Sequence, residues 1–231
     1  MKPFHFKNFS LNQSAKVFRV GTDGVLLGAS VSVKNAENIL EVGTGTGLIA
    51  LMIAQRNTTA KITALDINEE AVTLADENFR NSPYKSRLSV LHCDFKNFES
   101  DEKFDLIVSN PPYFEENPSS KDVMARQQTE LSFRDLVRNA AGNLSPTGRL
   151  SVIIPYSAGD NFKAICLENQ LFMNKRITVF GIKNSDPKRL ILEFGHENGA
   201  LNESEFVIEK SPRTYSDQYI ELTKDFHVFG K

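Results

Sequence analysis

The chain has 231 residues, 40% hydrophobic and 24% charged, enough for one large domain with a full core and ordinary for a globular protein in water. Its 27 basic and 29 acidic residues leave a net charge of −2, so the total charge does not announce a polyanion binder. No apolar run reaches membrane-spanning length, and the Lys- and Phe-rich start lacks the apolar segment of a signal peptide, so a cytoplasmic protein is expected.

Residues 1–20 contain Lys2, His5, Lys7, Lys16 and Arg19 and no acid. Phe4, Phe6, Phe9 and Phe18 are interleaved with them. An arm of this kind can meet phosphates and bases, but packing of its aromatics on the domain is the stronger expectation from composition. Gly21 to Ala29 then reads as a turn feeding a short apolar helix, with Thr22 or Asp23 as the expected N-cap.

Ile39 to Val42 is a buried strand that runs into Gly43-Thr44-Gly45-Thr46-Gly47 and then the helical pattern Leu48 to Ala54. Strand, glycine turn and helix in that order let a ligand approach the backbone at a helix N-terminus. A dinucleotide fingerprint requires a third glycine at position 48, where Leu48 stands. The actual spacing, Gly-x-Gly-x-Gly after Glu41, suits a cofactor with an adenosine and a cationic amino-acid tail better than a pyrophosphate.

Lys61 to Ile67 is a second strand, and Asp66 at its end is placed to accept both ribose hydroxyls of an adenosine. Asn68 is expected to cap a helix that begins with Glu69 and Glu70 and buries Ala71, Val72, Ala75 and Phe79. A third strand, Leu88 to His92, ends in Cys93-Asp94-Phe95. Asp94 there can meet an adenine amine and Phe95 its ring, although a turn acid and a core aromatic are equally compatible with the residues.

Phe104 to Ser109 is the fourth strand, and it must stop at Asn110 because Pro111 and Pro112 lack amide donors and Pro111 drives Asn110 out of the α region. The stiff tetrapeptide Asn110-Pro111-Pro112-Tyr113 thus lies at the carboxyl end of a strand, where open α/β sheets place ligands. An aromatic amine or an amide is a poor nucleophile because its lone pair is delocalised. The Asn110 side-chain carbonyl and the Pro111 backbone carbonyl can accept its two hydrogens, and Tyr113 can stack on the ring.

Residues 114–131 are polar and aperiodic, and read as a substrate loop. Ser132 caps a helix with Phe133, Leu136, Val137, Ala140 and Leu144 on one face. Pro146-Thr147-Gly148 turns into a strand from Leu150 to Ile154, a helix covers 158–169, and strands near Arg176–Phe180 and Leu190–Phe194 finish the sheet. Cys93, Cys166 and the four histidines are scattered without metal-ligand spacing, so reduced thiols and no metal are expected.

The strand ends alternate with helices in a βαβ rhythm and converge on one edge of a parallel sheet. Taken together, Glu41-x-Gly43-x-Gly45-x-Gly47, Asp66, Asp94-Phe95 and Asn110-Pro111-Pro112-Tyr113 resemble the S-adenosylmethionine-dependent methyltransferases that act on amino groups. Phe4-x-Phe6-Lys7-x-Phe9, the run Val17 to Gly28, and Tyr215-x-x-x-Tyr219-x-x-Leu222-Thr223-x-Asp225-Phe226 extend the resemblance to the bacterial enzymes that methylate the adenine 3′ of the anticodon of a valine tRNA.

That resemblance implies a Rossmann-like seven-stranded α/β sheet, mostly parallel with its last strand antiparallel, and helices on both faces. It implies one methyltransferase domain, with residues 1–35 as arm and helix and 36–231 as catalytic core. Thr22 and Asp23 would border the cofactor, S-adenosylmethionine, with the product S-adenosylhomocysteine. Glu41, Gly43, Thr44, Gly45, Gly47 and Ile67 would also bind it, with Asp66 on the ribose and Asp94 and Phe95 at the adenine. Asn110 would touch both cofactor and target, and Asn110 to Tyr113 would hold the base. The implied partner is the anticodon stem-loop of a tRNA, with no membrane and no metal; a monomer is the default expectation. Rival readings are a glutamine N5-methyltransferase acting on release factors, an rRNA or DNA amino-methyltransferase, and a non-catalytic module that grips cofactor or RNA. The first normally carries a separate helical amino-terminal domain, and the DNA enzymes a target-recognition insertion, for neither of which the chain leaves room.

Overall fold

The computed structural model describes residues 1–112 and 131–227. The readings placed on Tyr113 and on almost all of the 114–131 loop therefore lie outside the described residues. A short antiparallel pair, β1 (Phe4–His5) and β2 (Ser10–Leu11), precedes helix α1 (Thr22–Ser30). Then β3 (Asn38–Val42), β4 (Lys61–Asp66), β5 (Leu88–His92), β6 (Phe104–Ser109), β7 (Leu144–Pro155), β8 (Phe172–Ile182) and β9 (Pro187–Gly195) build the main sheet. Between them run α2 (Leu48–Arg56), α3 (Glu69–Arg80), α4 (Phe133–Asn143) and α5 (Gly159–Glu168).

Strands β5, β4, β3, β6 and β7 lie side by side and parallel in that order, and β9 inserts antiparallel between β7 and β8. These seven strands are the expected sheet. It then continues past the expected edge. β10 (Asn202–Ser211) pairs parallel with β8, and β11 (Thr214–Tyr215) pairs antiparallel with β10, which brings the sheet to nine strands. Helix α6 (Asp217–Thr223) follows, capped by the Ser216 hydroxyl. The added strand β10 reads Asn-Glu-Ser-Glu-Phe-Val-Ile-Glu-Lys-Ser, and its polar start and half-buried centre are those of a sheet margin rather than of a core strand.

The continuous apolar runs of the central strands arise because each strand buries both faces. Alternate residues fall into two separate cores. Ile39, Leu106, Val108, Ile153 and Ile191 pack with α1, α2 and α3 on one side. Leu40, Val42, Ile107, Val152 and Leu192 pack with α4 and α5 on the other. Among the described residues no helix is long and apolar enough to cross a membrane.

Local chemistry fixes most helix starts as the sequence predicts. The Asn68 side chain accepts from the Glu70 amide, and Ser132 from that of Asp135. Helix α1 differs: its N-cap is Gly21 with no side-chain bond, and Thr22 is already its first residue. Asp23 is drawn away from capping by Arg189, whose Nε donates to its carboxylate at 2.7 Å. Strand β7 also begins earlier than expected, at Leu144. The Pro146-Thr147-Gly148 turn is absorbed as an irregularity in its pairing with β6. On α3, Asn78 rather than Val72 completes the buried face.

In the amino-terminal arm, Phe6 and Phe9 are buried and stacked with centroids 4.7 Å apart, and Phe4 tilts against Phe6 at 4.8 Å. The packed-arm expectation thus holds for three of the four aromatics. Phe18 is the exception, being 85% exposed.

Candidate active site

The glycine loop leaves β3 through three residues of positive φ, Gly43 (76°), Gly45 (57°) and Gly47 (82°). L side chains rarely adopt that region, which explains the residue type at each position. Gly47 is doubly constrained, because a Cβ there would meet the Phe79 ring at 2.5 Å. At Gly43 the space beyond the backbone is open, with no atom within 4 Å of where a Cβ would sit. A ligand can therefore approach this turn closely.

Loop and strand ends are tied to one another by hydrogen bonds. The amides of Gly43 and Thr44 both donate to the Leu65 carbonyl on β4, at 2.9 and 3.0 Å. Asp66 accepts the Gly45 amide on Oδ2 at 2.8 Å and the Asn68 amide on Oδ1 at 2.9 Å. Each oxygen keeps a further lone pair, which leaves the carboxylate able to accept from a diol. Ile67, next in the chain, is exposed at the same edge.

Glu41 lies beneath the loop and is 1% exposed. Its Oε2 accepts from the Thr44 hydroxyl at 2.7 Å and from the Ala50 amide at 3.1 Å, while Oε1 is buried with no partner. Burial pushes this carboxyl up to about 8; the Thr44 and Ala50 bonds work against the rise, and the nearby Asp66 adds to it. An orphaned buried oxygen under an open glycine turn is the kind of acceptor that a cationic amino-acid tail satisfies.

Asp94 and Phe95 resolve differently. Asp94 Oδ1 accepts the Lys96 amide at 3.0 Å and so caps a short 3₁₀ turn, with the Lys96 ammonium 3.5 Å away. The Phe95 ring is buried between Phe98 and the second core, and Asn139 donates to the Phe95 carbonyl at 2.6 Å. Its ring thus belongs to the core, and any contact made at this position comes from Asp94 or the backbone.

Asn110 stands next to the loop because β6 pairs with β3. Ser109 is opposite Val42, and its hydroxyl donates to the Val42 carbonyl at 2.9 Å. Gly43 and Asn110 are the residues that follow this pair on the two strands. Asn110 is half-buried, Pro111 buried and Pro112 exposed. Thr22 and Asp23 reach the same edge from α1. The Arg189 partner of Asp23 sits opposite Pro155, at the carboxyl end of β7. Among the described residues no group of His, Cys, Asp or Glu could hold a metal ion.

Two contributors escape the sequence reading. Asn78, 1% exposed, donates to the Thr46 carbonyl at 2.9 Å and exchanges hydrogen bonds with the Asn12 backbone at 2.8 and 3.1 Å, joining α3 to both the glycine loop and the arm. Val17, buried in the arm, is the nearest neighbour a Cβ on Gly45 would meet, at 3.9 Å. The available signal for Asn78 was a polar residue set in the apolar stripe of α3.

Comparison with known proteins agrees with this geometry. Residues 14–172 match the family described as "Methyltransferase small domain". A Flavobacteriaceae bacterium protein named tRNA1(Val) (adenine(37)-N6)-methyltransferase is 57% identical over 99% of this chain and 100% of its own length. A Bacteroides thetaiotaomicron protein of the same name is 39% identical over 99% and 98%. Among solved structures, a protein from Agrobacterium tumefaciens described as a predicted O-methyltransferase superposes with a TM-score of 0.72 at 19% identity, covering 88% of this chain and 96% of that one, which is a likeness of fold. An open glycine turn, an acid at each neighbouring strand end and an Asn-Pro-Pro bend beside them are thus shared by descent, and the chain belongs to the tRNA1(Val) (adenine(37)-N6)-methyltransferase family.

Proposed function

We propose that this protein transfers a methyl group from S-adenosylmethionine to N6 of adenine 37 in the anticodon loop of tRNA1(Val). The observation that carries the reading is the adjacency of Gly43 and Asn110, set by the Ser109–Val42 bond between their strands. An amine held at Asn110 lies beside a loop suited to a methyl donor. Full-length identity to relatives bearing that name supports the substrate.

When bound, the cofactor supplies an electrophilic methyl on a sulfonium. Gly43 and Gly45 admit it to the backbone, Asp66 accepts its ribose hydroxyls, and the free oxygen of Glu41 suits its ammonium. The Asn110 side-chain carbonyl and the Pro111 carbonyl accept the two N6 hydrogens and turn the amine lone pair outward. The new N–C bond then forms as the C–S bond breaks, the electron pair stays on sulfur, and N6 gives up one proton. Positioning and charge orientation supply the acceleration. The adenine must leave the loop stack to reach Asn110, a step the stacking role assigned to Tyr113 would assist. Such a substrate places the work in the cytoplasm, with one protein copy per anticodon stem-loop.

The test is methyl transfer from labelled cofactor to a tRNA1(Val) transcript and to the same transcript with guanine at position 37. Transfer to the first alone is expected. Equal labelling of both, or labelling of a release factor instead, refutes the reading.

A further inference from the structure

Phe18 is anomalous within its own sequence. Every other phenylalanine among the described residues is buried or half-buried, whereas Phe18 is 85% exposed. The exposure is not the slack of a loose tail. Val17 on one side is buried against the glycine loop at Gly45. Val20 on the other packs on the core, and its amide donates to the Gln13 side chain at 3.3 Å. Lys16 is held by an ion pair to Glu70 at the start of α3. Two anchored valines thus force the pair Phe18-Arg19 outward. Arg19 is exposed and, among the described residues, makes no hydrogen bond or ion pair.

The position is as informative as the exposure. Val17 covers the same loop whose first glycine neighbours Asn110, so Phe18 and Arg19 project at the edge where the amine is to be methylated. An aromatic face beside an unpaired guanidinium, on a segment of twenty residues without an acid, is complementary to single-stranded RNA, in which unstacked bases seek flat partners and phosphates seek cations. We infer that Phe18 is a stacking platform for a base of the substrate RNA flanking the target adenine, with Arg19 on the adjoining phosphate. The inference rests on the RNA-substrate reading above and names a contact of that substrate.

Affinity for the tRNA1(Val) transcript across a salt series, steady-state methylation, and calorimetric affinity for S-adenosylmethionine test it on wild type, Phe18→Ala, Phe18→Trp and Arg19→Ala. Phe18→Ala is expected to raise the tRNA Kd and KM about 10-fold at every salt concentration, with kcat, cofactor affinity and Tm unchanged. Phe18→Trp should restore tRNA affinity. Arg19→Ala should instead flatten the logarithmic salt dependence by about 0.7 to 1. A Phe18→Ala protein that binds tRNA like wild type overturns the platform, as does one whose loss appears equally in cofactor affinity. If wild type binds the RNA and shows these variant effects but methylates a position other than 37, the functional reading falls and the platform stands; wild type without affinity for tRNA removes both.

Discussion

The Asp66 carboxylate accepts the Gly45 amide at 2.8 Å, so the acid assigned to the cofactor ribose also braces the loop over which that cofactor would lie. Replacing Asp66 therefore has two consequences at once. Asp66→Ala should weaken S-adenosylmethionine binding by about 100-fold, from the loss of charge-assisted bonds at about 1.5–3 kcal/mol each. Asp66→Asn keeps one carbonyl for a single amide and should lose less. Calorimetric titration of both variants separates the bracing from the ribose contact.

Asn110 tests the chemistry rather than the binding. Asn110→Ala should leave cofactor affinity within about 2-fold and lower kcat by about 100-fold or more, the scale on which a single orienting hydrogen-bonding group acts in a transition state. Single-turnover methylation with saturating cofactor is the measurement, and an unchanged rate would remove Asn110 from the mechanism.

Glu41 predicts a pH dependence of stability. Its folded-state pKa is raised to about 8 by burial, against an ordinary value of 4.5. Between those values the unfolded chain releases the proton while the folded chain retains it. Stability of the cofactor-free protein should accordingly fall as pH rises through that window and level off above it. Glu41→Gln keeps an acceptor for Thr44 and Ala50 and should abolish this component of the slope. Urea midpoints measured across the window, wild type against variant, check the sign.

Gly47 predicts a strain effect. Gly47→Ala must place a Cβ both at positive φ and 2.5 Å from the Phe79 ring, and should cost about 2–4 kcal/mol through combined backbone and overpacking penalties. Gly43→Ala shares only the backbone term, because its Cβ would point into open space. The difference in Tm between the two variants measures the contact with Phe79.

Much of this architecture is legible from the residues. The β3 to β7 strands are recognisable because burial on both faces leaves unbroken apolar runs, and the loop at Gly43 to Gly47 because no other residue type tolerates its backbone. The missed features share a physical cause, which is that they depend on partners remote in sequence. Asp23 gives up capping for Arg189, 166 positions away, and Asn78 enters an apolar stripe to reach Thr46 and Asn12. Strand β10 escaped because a sheet margin needs only partial burial, so its pattern stays polar. Asp94 and Phe95 show the converse limit. One short acid-aromatic pair served equally for a ligand or for a turn and a core, and the buried ring was decided by α4 packing beneath it.

The arm that carries Asn12 and Val17 is fastened from its other side by the end of the chain. The Lys7 amide donates to the Phe226 carbonyl at 2.8 Å, and the Phe6 ring stacks on His227 with centroids 5.2 Å apart. During synthesis the earliest residues leave the ribosome long before position 226 exists. What emerges first is thus among the last pieces to be secured, and the cofactor cradle gains its final brace only when translation of the tail is done. Trimming the polypeptide back to about Thr223 should, by the same route, slacken a loop more than 170 positions upstream of the cut.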